Sequence, residues 1–335
     1  MAETPATDRQ SSEPIVVAGA GGFIGGHLVA RLLAEDRAVR AVDSKDPDDW
    51  YQRFDGAESL QLDLKLREDC EAAVDGAGTV YDLAADMGGI GFIENFKADC
   101  MLSILIGSHL LVASRDSGVG RFFFSSSACV YAADRQTSAD AAALVESDAY
   151  PAMPEDGYGW EKLFMERMCR HFLEDFGLQT RVARYHNVYG PNGAFEGGRE
   201  KAPAAISRKV AEAVLSGDHR IEIWGDGEQS RSFMYVDDCV DGTIMIASGD
   251  SPEPVNLGSS ELVTINQLVT TVEQIAGVEL EREYLTDAPQ GVRGRNSDNT
   301  LIEEIYGWEP STPLRDGMER TYRWIYDQLA ARQAA

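Results

Sequence analysis

A tyrosine and a lysine four residues apart are the first pair in the sequence that could do chemistry. Tyr158 and Lys162 belong to YGWEK (158–162), at the start of a predicted helix, so both side chains lie on one helical face. A lysine ammonium beside a phenol favours the phenolate, which should lower the pKa of Tyr158 toward neutrality. Ser127, in the upstream string SSSACVY (125–131), can hydrogen-bond the same substrate oxygen. Together with a nucleotide-binding loop, these three groups are what reversible oxidation of an alcohol by a nicotinamide cofactor requires.

The YxxxK spacing is common, and alone it would indicate a core aromatic and a solvated lysine. A glycine-rich loop upstream changes that interpretation. The string GAGGFIG (19–25) follows a short buried strand and opens an amphipathic helix that runs to about Glu35. Its glycines allow a tight turn, close approach to a pyrophosphate and close packing of helix on strand. A second strand ends in Asp43, where a carboxylate can bind the adenosine ribose hydroxyls, which favours NAD over NADP. The predicted cofactor-binding residues are Gly19, Gly22, Phe23, Ile24, Gly25, Asp43, Asp63, Ala84, Ala85, Tyr158 and Lys162.

The elements that must position these groups alternate between strand and helix through the first half of the chain. This alternation predicts an α/β fold, a Rossmann-type doubly wound parallel sheet with a smaller C-terminal α/β substrate-binding lobe. The longest predicted helix runs from about Glu94 to Ser117, and the strand after it, 121–124, delivers Ser127 and Cys129. We expect a disordered tail at 1–12, an NAD-binding domain at 13–185 with segments exchanged from 224–260, and a substrate-binding lobe at 186–330.

Composition argues against several classes of function. The 335-residue chain carries a formal net charge of −26, and sequence-independent binding of nucleic acid needs a basic surface instead. No uninterrupted apolar run reaches the length of a bilayer, and the polar, acidic start is unlike a secretion signal. We therefore expect a cytoplasmic protein without a membrane partner. The five cysteines lack paired, metal-type spacing, so reduced thiols and no metal site are expected.

Four motifs occur in a fixed order along the chain: GxxGxxG, SSSACVY, YGWEK and RYHNVYGP (184–191). In order and spacing the chain resembles the extended short-chain dehydrogenase/reductase superfamily of nucleotide-sugar enzymes, over nearly its full length. Within that superfamily it is similar to the GDP-mannose 3,5-epimerase family. The strings that carry this closer resemblance are AADMGGIGF (84–92), the cysteine in SSSACVY, GGREKAPAA (197–205), WGDGEQSRSF (224–233) and GVRGRNSDN (291–299).

The resemblance implies an NAD-dependent isomerase that converts GDP-D-mannose to GDP-L-galactose and GDP-L-gulose through a transient 4-keto intermediate. A ketone at C4 acidifies the protons at C3 and C5, so two groups can take a proton from one ring face and return one to the other. Cys129 and Lys201 fit these roles if charge and burial move their pKa values toward neutrality. The catalytic set is Ser127, Cys129, Tyr158, Lys162 and Lys201. The implied substrate-binding residues are Gly88, Gly89, Ser127, Asn187, Glu200, Lys201, Ala202, Lys209, Gln229, Arg231 and Arg295, of which the two arginines suit phosphate or ribose contacts.

Three alternatives stay open on the sequence. The nearest is an epimerase of another nucleotide sugar, such as a GDP-heptose or a UDP-hexose. Simple 4-epimerisation needs neither Cys129 nor Lys201. A dehydratase should carry an Asp-Glu pair after the catalytic serine, where Ala128 and Cys129 stand. A non-catalytic NAD-binding regulator would not need the intact Ser127, Tyr158 and Lys162.

Apolar residues on two predicted helices exceed what one face of a sheet can cover. This excess predicts a homodimer formed through the long helix and the helix of Tyr158. The residues concerned are Leu102, Leu105, Leu110, Phe164, Met168 and Phe172.

Overall fold

The computed structural model describes residues 13–334, so the tail expected at 1–12 lies outside the described residues. Fourteen strands are present in this part of the chain. In chain order they are β1 (Ile15–Ala18), β2 (Val39–Asp43), β3 (Glu58–Gln61), β4 (Thr79–Asp82), β5 (Arg121–Ser127), β6 (Gln179–Tyr185), β7 (Val188–Tyr189), β8 (Arg220–Trp224), β9 (Ser230–Ser232), β10 (Met234–Tyr235), β11 (Val255–Leu257), β12 (Leu262–Thr264), β13 (Glu281–Leu285) and β14 (Gly294–Arg295).

Eleven α-helices connect or flank these strands within residues 13–334. They are α1 (Phe23–Ala34), α2 (Arg67–Val74), α3 (Ile90–Asn95), α4 (Lys97–Met101), α5 (Ile104–Asp116), α6 (Tyr158–Phe176), α7 (Ala202–Ser216), α8 (Val236–Ser248), α9 (Ile265–Ala276), α10 (Thr300–Tyr306) and α11 (Leu314–Ala334).

Seven of the strands form one parallel sheet in the order β11-β6-β5-β4-β1-β2-β3. Helices cover both faces of this sheet, so its central strands are largely buried, and β1 is apolar along its whole length. In β5, Phe123 packs into the core with α1 and α8, whereas Phe122 and Phe124 pack on the other side with α5 and α6. The predicted doubly wound α/β fold is therefore confirmed.

The second half of the chain adds a smaller layer beyond the carboxyl ends of these strands. It contains the parallel pair β8-β13 and the three-stranded sheet β12-β9-β14, with α7, α9 and α11 packed around them. One strand returns to the first half, since β11 pairs in parallel with β6, Val255 opposite Ala183. The boundaries at 13–185 and 186–330, with segments exchanged from 224–260, stay a prediction.

The long helix predicted at 94–117 is divided into α3, α4 and α5. The first break is at Phe96, whose backbone leaves the helical region (φ −124°, ψ 47°) and whose ring stacks on Phe92. Lys97–Asp116 spans 20 residues and contains an 18-residue window with mean hydropathy 1.3. By length and composition it is apolar enough to cross a membrane, which the interruptions in its sequence did not lead us to expect. Part of it, including Leu110, is buried against the sheet, which is the environment of a core helix.

Candidate active site

The carboxyl end of β5 delivers the first two site residues. The strand extends to Ser127, three residues further than predicted, and a single 3₁₀ turn, Ala128–Val130, follows. Ser127 caps this turn, because its hydroxyl accepts a hydrogen bond of 3.2 Å from the backbone N–H of Cys129. Strand and turn together fix the hydroxyl and the thiol at the edge where ligands bind in open α/β sheets.

Helix α6 brings Tyr158 and Lys162 to the same place. The helix begins at Tyr158, after Gly157 in a positive-φ conformation (78°). At Gly159 a Cβ would lie 2.3 Å from the carbonyl oxygen of Cys129, so only glycine lets α6 approach the turn this closely. Lys162 is almost fully buried behind the tyrosine, with Nζ 5.5 Å from the centre of the Tyr158 ring.

The pKa of Tyr158 differs from the expectation. Burial raises the pKa of this phenol well above its usual value, and the nearby Cys129 and Glu161 raise it further, although the Ser127 hydroxyl opposes them. Lys162 does not offset the burial, because its Nζ faces a carboxylate of its own, 3.6 Å from Oε2 of Glu161. In the protein alone the phenol therefore keeps its proton.

Lys201 comes from the second half of the chain and is held by the glycine-rich loop at 86–92. A Cβ on Gly89 would lie 2.4 Å from the carbonyl oxygen of Glu200, and one on Gly88 3.2 Å from Cα of Arg199. The loop and the segment before α7 can meet this closely only without side chains. Burial lowers the pKa of Lys201, partly opposed by Cys129. Lys201 also lies at the amino end of α7, where the positive end of the helix dipole disfavours a cation and lowers the pKa of the amine further.

Cys129 lies in a buried cluster with an arginine and a carboxylate. Nη1 of Arg295 donates a hydrogen bond to Sγ of Cys129 at 3.7 Å, and Nη2 donates to Oε1 of Glu155. Burial raises the pKa of the Cys129 thiol to about 11; Glu155 adds to this rise and Arg295 opposes it. Burial would also raise the pKa of Glu155, but Arg295 holds it below its usual value.

These groups open onto one cleft of about 280 Å³ between the two halves of the chain. Of the predicted catalytic residues, four line it, and Lys162 lies behind Tyr158. Every predicted substrate-binding residue also lines the cleft: Gly88, Gly89, Ser127, Asn187, Glu200, Lys201, Ala202, Lys209, Gln229, Arg231 and Arg295.

The polar residues of the cleft differ in whether they are free to bind a ligand. Within residues 13–334, Oε1 of Gln229 is buried without a hydrogen-bond partner, although its Nε2 donates to Trp224 O at 2.9 Å. Arg231 donates to backbone carbonyl groups, and burial lowers its pKa to about 10. Arg295 has its guanidinium committed to Glu155, Cys129 and Gln136, so the structure places it beside the thiol and gives no support for the phosphate contact suggested by its type.

The amino-terminal glycine loop has the shape that a dinucleotide needs. Gly19 has φ 83°, and a Cβ on Gly25 would lie 2.1 Å from Gly19 O, so turn and helix pack with no room for a side chain. No side chain among residues 13–334 caps the start of α1, which leaves backbone N–H groups there for a pyrophosphate. Asp43 ends β2 beside this loop, and its Oδ2 accepts a hydrogen bond from Gly21 N at 3.0 Å.

The remaining cofactor residues lie near this loop. Phe23 and Ile24 begin α1, and Ala84 and Ala85 follow β4, where Ala84 lies against Gly19. Asp63 is exposed just after β3. Their contacts with a cofactor stay a prediction.

Sequence reasoning missed several residues of the site. Glu155 and Gln136 contact Arg295 from distant positions, and Trp224 lines the cleft with 44% of its surface exposed. Trp224 stands in a recognised motif, where an exposed aromatic in a polar string was a usable signal. The pairing of Glu155 with Arg295 spans 140 residues and has no local signal.

Comparison with known proteins agrees with this geometry. Residues 15–258 match the model of the NAD dependent epimerase/dehydratase family. GDP-mannose 3,5-epimerase 1 of Oryza sativa subsp. japonica is 45% identical over 316 residues, which cover 94% of this chain and 82% of the relative. GDP-mannose 3,5-epimerase of Arabidopsis thaliana is 43% identical over 321 residues, covering 96% of this chain and 84% of the relative.

Solved structures show the same fold. UDP-glucose 4-epimerase of Thermotoga maritima, with UDP-glucose, has a TM-score of 0.82 at 27% identity, covering 94% of this chain and 99% of its own. UDP-glucuronic acid 4-epimerase of Bacillus cereus, with UDP-glucuronic acid and NAD, has a TM-score of 0.79 at 26% identity, covering 94% and 99%. Fold, site and relatives agree, and the chain belongs to the NAD-dependent epimerase/dehydratase family, with GDP-mannose 3,5-epimerases among its relatives.

Proposed function

We propose that this cleft inverts C3 and C5 of GDP-D-mannose, giving GDP-L-galactose and GDP-L-gulose, with NAD⁺ restored at the end of each cycle. The observation that carries the proposal is that Cys129 and Lys201, from different halves of the chain, line one cleft with Ser127 and Tyr158. Inversion at C4 alone needs neither Cys129 nor Lys201. The names of the plant relatives support GDP-mannose as the substrate.

Ser127 and Tyr158 act at the C4 hydroxyl. Both would hydrogen-bond this group, and Oη of Tyr158 would take its proton as C4 becomes a ketone. Bound NAD⁺ would supply the hydride acceptor and a cationic ring, whose charge lowers the pKa of a nearby phenol. The ketone then acidifies the otherwise unreactive C–H bonds at C3 and C5.

Cys129 and Lys201 act at these two carbons. Because burial raises the pKa of Cys129 and lowers that of Lys201, the thiol keeps its proton and the amine loses its proton more readily than a free lysine. We therefore assign Lys201 Nζ as the base and Cys129 Sγ–H as the acid on the other ring face. In the chair form of D-mannose, H3 and H5 are axial on the same face, so one base serves both carbons. Both groups must then exchange protons with water between the two inversions.

A homodimer is part of the same proposal. Leu110 and Phe172, two of the residues assigned to the interface, are buried within the protomer, which corrects that part of the prediction. Leu105 on α5 and Phe164 on α6 are 37% and 47% exposed, and these two helices pack side by side on one face of the sheet. Leu102, in the turn between α4 and α5, is 46% exposed. These exposed side chains leave a smaller apolar surface for the predicted contact.

Incubation with GDP-mannose in deuterated water tests the proposed reaction. We expect deuterium at C3 and C5 but not at C4, read by NMR and mass spectrometry. Lys201→Ala should lower deuterium incorporation about 10²–10⁴-fold, because it removes the base. Cys129→Ala should lower the yield of the two inverted sugars by a similar factor, because it removes the acid on the other ring face. Tyr158→Phe should prevent oxidation at C4 and all later exchange.

The control is Cys70→Ser, since Cys70 is buried away from the cleft and a hydroxyl can keep its hydrogen bond to Leu64 O. Near-normal yields of GDP-L-galactose and GDP-L-gulose from Cys129→Ala would show that the thiol is structural. Inversion of UDP-glucose at C4 by the unmodified protein, without exchange of GDP-mannose, would favour the alternative of a 4-epimerase.

A further inference from the structure

Glu155 is tied to Cys129 through both its backbone and its side chain. Its N–H donates a 3.0 Å hydrogen bond to the carbonyl oxygen of Cys129, which places the residue beside the 3₁₀ turn. Its side chain lines the cleft, is only 16% exposed and accepts a hydrogen bond from Arg295. Nothing in the proposed chemistry so far uses this carboxylate.

Arg295 links the carboxylate to the thiol. Its side chain is 8% exposed, and Nε donates to Oε1 of Gln136 at 2.6 Å, which fixes the guanidinium plane. Nη1 then points at Cys129 Sγ and Nη2 at Glu155. The other ionisable groups that face the thiol are Lys201 and Arg231 from the second half of the chain and Tyr158 from α6.

We propose that Glu155 is a positioning residue for Cys129, which balances the charge of Arg295 and so keeps the thiol protonated between turnovers. The proposal rests on the function proposed above for Cys129 as the acid. A guanidinium at hydrogen-bond distance from sulfur stabilises the thiolate, and an unpaired Arg295 would leave Cys129 without a proton to donate. The carboxylate offsets this effect, and the direction in which Glu155 moves the pKa of Cys129 is consistent with it.

Arg295 and Glu155 together also explain how one thiol can donate a proton twice per turnover. When the S–H bond breaks and a C–H bond forms on the sugar, the negative charge moves to Sγ. Arg295 stabilises this thiolate, whereas Glu155 repels it and favours return of a proton from water. With both groups present, Cys129 is reset between the inversions at C3 and C5.

Alkylation of Cys129 by iodoacetamide, followed by mass spectrometry of its peptide from pH 6.5 to 9.5, tests this role. Only the thiolate reacts, so the rate follows the ionised fraction. Glu155→Gln, which keeps shape and removes charge, should move the pH–rate profile down by about one unit or more. A shift of one unit gives about tenfold more thiolate at pH 8, offset about threefold by its lower nucleophilicity, so the rate should rise about threefold.

Two variants separate charge from packing. Glu155→Asp should stay close to the unmodified profile because the charge remains, and Arg295→Gln should move the profile up instead. Asp156→Asn, at the exposed neighbour that pairs with Lys97, should leave it unchanged. A profile of Glu155→Gln that superimposes on that of the unmodified protein, or an Asp variant that shifts equally, would overturn the proposal. The alkylation assay needs no sugar. A shifted pH–rate profile in a protein that shows no deuterium exchange would therefore contradict the proposed reaction but not this role of Glu155.

Discussion

At the scale of single residues, a second group of buried charges lies behind Tyr158. Asp82, at the end of β4, is fully buried, and its Oδ2 has no hydrogen-bond partner among residues 13–334. Burial raises the pKa of Asp82 to about 7, with Lys162 lowering and Glu161 raising it. Lys162 thus interacts with two buried carboxylates, those of Asp82 and Glu161.

This environment makes stability depend on pH. The folded protein binds the Asp82 proton more tightly than the unfolded chain does. The resulting stabilisation of the fold is therefore fully present below about pH 4 and is lost as the pH rises to about 7. Asp82→Asn should remove this loss, which amounts to at most ~1.4 kcal/mol per pH unit. The measurement is urea unfolding of both proteins at pH 5, 6, 7 and 8.

The quantity to compare is the difference in free energy of unfolding between variant and unmodified protein. We expect the variant to gain stability relative to the unmodified protein as the pH rises, and this difference to level off above pH 7. Asp55→Asn, at an exposed aspartate, should give a difference that does not change with pH. A flat difference for Asp82→Asn as well would mean that this carboxyl is already ionised in the folded protein at pH 5.

At the scale of elements, the turn between β1 and α1 sets whether the cofactor can bind. Gly25→Ala would place a methyl group 2.1 Å from Gly19 O, an atom of the backbone that cannot rotate away. We expect a loss of stability of about 1–3 kcal/mol or more and a large loss of NAD⁺ affinity, because the loop must shift. Calorimetric titration with NAD⁺ and a thermal melt measure both.

Gly56→Ala is the matched control. A Cβ there would lie no closer than 3.5 Å to the Leu33 side chain, in ordinary contact. Its affinity for NAD⁺ and its melting temperature should match those of the unmodified protein. Equal affinity in Gly25→Ala would show that the pyrophosphate does not bind at this turn.

The elements differ in how much of them could be predicted from sequence. The glycine loop and the YGWEK helix were predictable because each depends on residues a few positions apart. The division of 94–117 into three helices was not, because neither break, at Phe96 or at Leu102–Ser103, contains a glycine or proline that would mark it. The raised pKa of Tyr158 was missed for a related reason: Lys162 predicts a charge nearby, but burial and Glu161 are properties of the folded chain.

At the scale of the whole molecule, the proposed dimer depends on the exposed apolar surface of α4, α5 and α6. Leu105→Glu combined with Phe164→Glu should give a folded monomer, because it places two charges within a surface that a partner must bury. Light scattering on a sizing column at micromolar concentration measures the mass. Circular dichroism checks the fold.

Ile305→Glu is the control, since Ile305 is 38% exposed on α10 and not on the three helices of that surface. It should leave the mass of the dimer unchanged. A monomer for the unmodified protein under the same conditions would end the proposal of a homodimer.

The return of β11 to the main sheet limits how this chain can be recombined with its relatives. A chimera joined after β6 that takes everything downstream from another enzyme also replaces Val255–Leu257, the strand that pairs with β6. If the foreign strand fits poorly, the edge of β6 is left open, and an open edge pairs with other chains. Exchange of sugar specificity between relatives is therefore better attempted with two crossovers, which leave β11 with its native neighbour, than with one.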